Sequence, residues 1–317
     1  MNAGTLLVAC ALDAVVGDPR WLPHPVRLMG RAIAGYERSI RPILSNRTCE
    51  LIAGIVLAVG LPAVSYGVAW LVVDQASRLH EVIGQGGEVA LAFTTLAARD
   101  LADHARAVRH ALVAGSLEAA REAVSQMVGR DTAQLSEEAI VRATVESVAE
   151  STADGVVAPL LYLVLGGPPL ALAYKAVNTL DSMVGHLDDR YRHFGWASAR
   201  MDDLVNWVPA RLTALLIVLA AGVVGHDTST MSQAWRIFRR DGKQHQSPNS
   251  GCPEAAMAGA LGVQLGGTNY YEGVATERPP LGAISRPLTS HSIRDALRIM
   301  WTVFLMGALV AAGLLIL

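Results

Sequence analysis

Residues 174–211 read YKAVNTLDSMVGHLDDRYRHFGWASARMDDLVNWVPAR. This span crowds Lys175, Asn178, Asp181, Ser182, Asp202, Asp203, Asn206 and Arg211 between two uncharged runs, 155–174 and 212–225. Only 17% of the chain is charged and 52% is hydrophobic, against about 25% charged in an ordinary soluble domain. The uncharged runs therefore read as membrane segments, and charge set beside such segments is costly and usually functional. On a helix, Asn178, Asp181 and Ser182 share one face. Asp202, Asp203 and Asn206 repeat the arrangement. Two acid–amide faces flanking a connection with Gly185 and Gly195 form an oxygen-ligand set suited to Mg²⁺. A solvated membrane-edge loop with helix caps is the plain alternative, and both stay open at this point.

Working outward, the chain reads as an all-α, polytopic integral membrane protein with about four or five membrane segments, some of them re-entrant. The segments are 3–16, short and retained rather than cleaved as a signal peptide, then 51–73, 155–174, 204–225 and 299–317. Gly60 and Pro62 mark either a kink or the tip of a hairpin in the second. Gly166-Gly167-Pro168-Pro169 breaks the third into two halves. One membrane-embedded domain is expected over 1–317. It carries a polar helical insertion near 75–153, with three or four helices, and a polar loop block near 226–296. Ser116 and Ser136 are expected N-caps. In the proline-rich loop 17–30, Trp21 suits a membrane interface. Arg31, Arg38, Arg41 and Arg47 follow it and place it on the cytoplasmic side. The motif-bearing loops are expected to share that face of the inner (cell) membrane.

Several classes are excluded. Net charge is −2 with no dense basic run, which argues against nucleic acid as a partner. Cys10, Cys49 and Cys252 are too few and too scattered for a disulfide framework or a zinc knuckle. No phosphate-binding P-loop, dinucleotide fingerprint or nucleophile elbow occurs, and no β pattern is evident.

Two further stretches carry chemistry. Arg142, Glu146, Glu150 and Asp154 recur every four residues. Stacked carboxylates repel, so the ladder needs a metal, a lysine or an ammonium substrate, or else it is a solvated face tied to Arg142. Arg130 and Asp131, in the preceding GRDTAQL loop, pair with each other in the simplest reading. In 239–250, RRDGKQHQSPNS, the cations Arg239, Arg240 and Lys243 precede His245, Ser247, Asn249 and Ser250. Such a stretch reads as a loop around an anion. Gly262 and Gly266 are spaced for close helix packing.

Seven pieces in order resemble the adenosylcobinamide-phosphate synthase (CobD/CbiB) family of cobalamin biosynthesis. They are GDP–x3–PHPV, GRDT, the Glu146–Asp154 helix with GVVAPLLY, YKAVNTLDSMVG, FGWASARMDDLVNWVPARL, RDGKQHQSPNSG and GALGVQLGG. The chain departs from that pattern at His186-Leu187, where an aromatic and a basic residue are expected, and at Gln246, where proline is expected. The resemblance implies a membrane ligase that joins aminopropanol (phosphate) to the propionate carboxyl of adenosylcobyric acid with ATP and Mg²⁺. Its partners would be the corrinoid, aminopropanol phosphate, the lipid bilayer and other membrane enzymes of the corrinoid pathway.

On that reading Asp181, Asp202 and Asp203, supported by Asn178 and Asn206, hold the metal. Lys175, Arg211, Arg240 and Lys243, with Ser247, Asn249 and Ser250, bind substrate phosphates. His245 or Glu150 accepts the amine proton, or the acidic face of Glu146, Glu150 and Asp154 holds the ammonium form before attack. Trp196, Trp207 and the GGPP break would line a corrinoid cavity. A membrane carrier or receptor for an amphipathic metabolite, or a purely structural membrane protein, are the competing classes. Neither requires ATP turnover or both acid clusters.

Overall fold

The computed structural model describes residues 1–19, 24–186, 188–271 and 273–317; the expectations for Trp21 and Leu187 fall outside these. The chain divides into two compact units that interleave in sequence. One is formed by Met1–Ala97, Ala158–Asn206 and Ala308–Leu317, the other by Ala98–Val157 and Trp207–Gly307.

The first unit opens with α1 (Ala3–Val16), started by a reciprocal cap between Asn2 and Thr5. Next comes α2 (Pro25–Ile40), whose first turn holds Pro25 and is capped by His24. A single helix α3 (Arg47–Leu79) follows, with Pro62 inside it. The chain therefore does not turn back at Pro62, which rules out a hairpin there. After α4 (Glu81–Phe93), the unit resumes with α8 (Ala158–Val184) and α9 (Trp196–Val205). In α8, Gly166 at φ −156° and Gly167 at φ +65° leave the helical region, so the expected break at GGPP is present. Around Phe194 the core gathers Ile33, Ala53, Leu57, Leu180 and Val184. Glu37 ties α2 to the 185–195 connection, accepting from Arg41 at 2.7 Å and Arg190 at 2.8 Å.

The second unit contains α5 (Ala98–Val113), α6 (Leu117–Ser125) and α7 (Glu137–Thr152). Ser116 and Ser136 are N-caps, as their sequence positions imply. A π-helical turn, Ala153–Val157, ends α7, so Asp154 does not continue the four-residue spacing of Glu146 and Glu150. The membrane-length helix α10 (Trp207–Gly225) leads to α11 (Thr228–Asp241) and α12 (Gly251–Leu261). All of α12 from Gly251 to Gly259 is buried. It packs on α10, α11 and α7. Gly259 permits the approach, because a Cβ there would come 2.8 Å from the Ala234 Cα.

Two sequence expectations are corrected here. First, β1 (Gln264–Tyr271) and β2 (Val274–Gly282) form an antiparallel hairpin where no β structure was expected. The alternation is masked by glycines and prolines, and side-chain ties to α7 hold the strand. Second, Gly262 and Gly266 do not pack helices. Gly262 terminates α12 in the left-handed region at φ +67°, and Gly266 sits in β1 at φ +83°. The unit closes with α13 (Ser290–Leu314), whose residues from Ala308 belong to the first unit.

Among the described residues, four stretches are long and apolar enough to cross a membrane: α3, the Glu137–Val184 stretch, α10 and α13. The all-α, multi-pass reading therefore stands, with one small hairpin added. At 14 residues, α1 is short of the roughly 20 needed to span.

Gly54 of α3 faces the Phe194 carbonyl, and a Cβ there would collide with backbone that cannot rotate away. Gly54→Ala should destabilise the first unit by about 1–3 kcal/mol, seen as a lower thermal midpoint in detergent. A midpoint equal to that of the unaltered protein would show that α3 and the 185–195 connection separate freely.

Candidate active site

In the second unit, charged side chains converge on the buried helix α12. Glu254, on its first turn, is 1% exposed, and Glu146 of α7 is 2% exposed. Burying a carboxylate without partners is prohibitive. Glu146 is fully partnered: Arg130 donates at 2.6 Å to one oxygen and the Gly266 N–H at 2.8 Å to the other. Arg130 also donates to Asn269 Oδ1 at 2.7 Å. Arg130 therefore pairs with Glu146 rather than with Asp131, which instead accepts from the Gly273 N–H. The ladder's compensating cation is this arginine. Arg142 donates elsewhere, to the Thr268 carbonyl.

Glu254 has one carboxyl oxygen with no partner among the described residues. Burial, and then the neighbouring Glu146 and Glu150 carboxylates, push its pKa well above the usual range. Its surroundings therefore favour the neutral acid. Arg278 of β2 lies in the same field. Burial works against its charge, but Tyr271 and the carboxyls of Glu254, Glu146 and Glu150 hold its pKa up.

The 242–250 loop supplies the remaining groups. Ser250 Oγ donates to Glu150 at 2.7 Å, and Ser247 Oγ accepts the Asn249 and Ser250 N–H groups. His245 Nδ1 accepts the Ser247 N–H at 3.0 Å. The proton of the neutral ring therefore lies on Nε2, which is buried without a partner among the described residues. Burial, and then Arg278, lower the His245 pKa, so the ring is neutral at pH 7. It thus presents an N–H donor.

The cations named from sequence behave differently. Arg239 and Arg240 are not in the loop but in the last turn of α11. Arg240 makes a two-pronged bond to Asp241 at 2.6 and 2.7 Å and also meets the Gly282 carbonyl. Arg211 stacks on Trp207 and braces the loop through Asn249 and Pro248. Lys243 is exposed.

The first unit holds the other cluster. Lys175, Asn178 and Asp181 lie half-buried on α8, with Lys175 Nζ 3.4 Å from Asn178 Oδ1. On α9, Asp202 accepts the Asn206 amide on both oxygens at 3.0 Å, while Asn206 Oδ1 accepts from Tyr174. Burial raises the Asp203 pKa, partly offset by Arg200. Among the described residues no three His, Cys, Asp or Glu side chains cluster tightly enough to cage a metal. The set fits instead a site of one or two carboxylates, which suffices for Mg²⁺ when substrate phosphates supply other ligands. Asp202 is the member of the set whose two oxygens both accept from Asn206.

Arg130, Glu254, Asn269 and Arg278 were not singled out from the sequence. Glu254 reads there as a first-turn helix residue, and only the burial of α12 reveals it.

The sequence model of the CobD/Cbib protein family matches residues 6–300. "Cobalamin biosynthesis protein CobD" of Geobacter metallireducens is 51% identical over 97% of this chain and 95% of its own length. The protein of the same name from Klebsiella pneumoniae is 47% identical, covering 94% and 93%. "Cobalamin biosynthesis protein CbiB" of Salmonella typhimurium is 46% identical, covering 93% and 91%. No solved structure matches the chain.

The raised Glu254 pKa makes a pH prediction. The native state keeps a proton that the unfolded chain loses above about pH 4.3. Its stabilising contribution is complete below that pH and falls as pH rises towards the folded pKa, by at most about 1.4 kcal/mol per pH unit. Glu254→Gln, neutral throughout, should melt above the unaltered protein at pH 8, with the gap closing towards pH 5. Parallel melting curves at every pH would mean Glu254 is ionised in the fold.

Proposed function

The chain belongs to the CobD/CbiB family, and on that premise we propose that it acts in cobalamin biosynthesis as an ATP-dependent amide synthase of the inner membrane. Its reaction would join aminopropanol or its phosphate to the propionate carboxyl of adenosylcobyric acid, with the reacting groups on the cytoplasmic side. The observation that carries this reading is the acid–base pair formed between Glu150 of α7 and His245 of the 242–250 loop. The Glu150 carboxyl accepts from Ser250 and lies close to the neutral ring of His245, whose proton is on Nε2. An amide synthase needs both an acceptor for the amine proton and a donor towards the oxygen of the attacked carbonyl.

The reaction then runs in two steps. The corrinoid carboxylate attacks the terminal phosphorus of ATP, giving an acyl phosphate and ADP. The amine attacks the acyl carbon, Glu150 takes its proton, and phosphate leaves as the amide forms. His245 Nε2–H donates to the carbonyl oxygen as negative charge develops there, so the acceptor role falls to Glu150. Glu146 is a positioning residue, since both its oxygens already hold Arg130 and β1. Arg278 supplies positive charge for a carboxylate or phosphate. Lys243 is a further phosphate candidate in this unit, Arg211 orients the loop that carries Ser247, Asn249 and Ser250, and Lys175 is a separate candidate in the first unit. In the first unit, Asp181 and Asp203 with Asn178 are the residues that would hold Mg²⁺, and the ion would supply positive charge towards a phosphate bound there.

Purified protein in detergent should consume ATP only when both a corrinoid carboxylate and the amino-alcohol phosphate are present, and mass spectrometry should find the amide. Corrinoid binding with no covalent change would favour a carrier.

Two substitutions separate the roles. Glu150→Gln should lower kcat by about 10²–10⁴-fold, the usual worth of a positioned base, with little change in KM. Asp181→Asn or Asp203→Asn should abolish turnover while the protein still inserts and melts normally. An unchanged Mg²⁺ dependence in either variant would remove that residue from the metal site.

A further inference from the structure

Away from the α12 cluster, the second unit has an open cavity of about 740 Å³ lined by Arg106 and Arg109 of α5 and by Arg294, Arg298 and Trp301 of α13. Asp103 pairs with Arg106, and Asp295 with Arg294 and Arg298. Four guanidinium groups thus face two carboxylates, leaving the cavity cationic. Arg109 Nε and Trp301 Nε1 are buried donors without partners among the described residues. Buried N–H groups of this kind normally meet an acceptor.

The cavity also sits at a membrane boundary. Val223 and Val224, at the end of α10, form part of its wall. The apolar length of α10 runs back from it towards Trp207, and that of α13 runs on from it towards Leu314. Arginines beside a tryptophan at the head of an apolar helix are the composition of a membrane–water interface.

A second cavity of about 450 Å³ adjoins the first and shares Val223 and His226 with it. Its walls are mainly apolar, with Leu219, Met231 and Met306. A cationic chamber opening beside an apolar one has the complementarity of an amphiphile with an anionic head. We propose that this pair of cavities binds an anionic phospholipid. The phosphate lies among Arg109, Arg294 and Arg298, Trp301 donates its indole N–H, and an acyl chain follows the Leu219–Met306 wall. A free phosphate would use only the first chamber.

The test uses the full-length protein in detergent. Phosphatidylglycerol in mixed micelles should raise the thermal midpoint and stay bound in native mass spectrometry; phosphatidylcholine and inorganic phosphate should do neither. Each interfacial arginine is worth about fivefold in binding, so Arg109→Gln with Arg298→Gln should weaken phosphatidylglycerol binding about thirtyfold. Met306→Trp narrows the apolar chamber and leaves every arginine in place. It should also weaken binding, and it serves where the charge variant does not fold. Unchanged affinity in the variants, equal retention of phosphatidylcholine, or equal binding of inorganic phosphate would each overturn the proposal.

Discussion

The second unit is organised by the need to satisfy one buried carboxylate. Glu146 has almost no access to water, and each of its oxygens is taken by a donor from a different part of the chain. Arg130 comes from the connection before α7, and the Gly266 N–H from β1. Removing either partner would leave an uncompensated charge in the interior, so the three elements are held in one arrangement. Gly266 is required there. Its φ of +83° is open to glycine, and a Cβ would strike the Pro279 carbonyl.

That tie also explains why Glu254 behaves so differently from Glu146 although both are buried. Arg130 and a backbone amide satisfy Glu146, whereas Glu254 has an oxygen with no partner and lies near two carboxylates. Three like groups in a small volume cannot all ionise, and the least partnered one keeps its proton. The site thereby brings a carboxyl whose surroundings favour its neutral form together with a neutral imidazole. Charge balance comes from Arg130 and Arg278, so the cluster needs no metal to exist.

Much of this was legible in the sequence. Long uncharged runs announced the membrane helices, and Ser116 and Ser136 announced helix starts through capping chemistry. GGPP announced the break in α8, because neither proline can donate and both glycines tolerate odd backbone angles. Spacing marked Glu146, Glu150 and Asp154 as carboxylates either compensated by a cation or solvated beside Arg142, without choosing between the two or naming Arg130 as the partner. Arg130 and Arg278 lie 16 and 132 residues from Glu146 in the chain, and only the fold brings such distant positions together. The hairpin escaped notice because Gly266, Gly267, Pro279 and Pro280 obscure its period. Arg239 and Arg240 looked like loop residues because the helix signal of α11 extends farther than its charges suggest.

The broken helix α8 bears on how the protein enters its membrane. The first half, up to Leu165, is too short to cross a bilayer, and the second carries Lys175, Asn178 and Asp181. Without N–H groups on Pro168 and Pro169, the carbonyls of Val164 and Leu165 lack their usual helical donors. The half with these polar side chains enters a bilayer at a higher cost than the uncharged middle of α3. Its packing partner α3 is long, apolar and made earlier in translation. Polar groups on α8 therefore enter a bilayer where α3 is already available to pack against them, and the order of synthesis favours that packing.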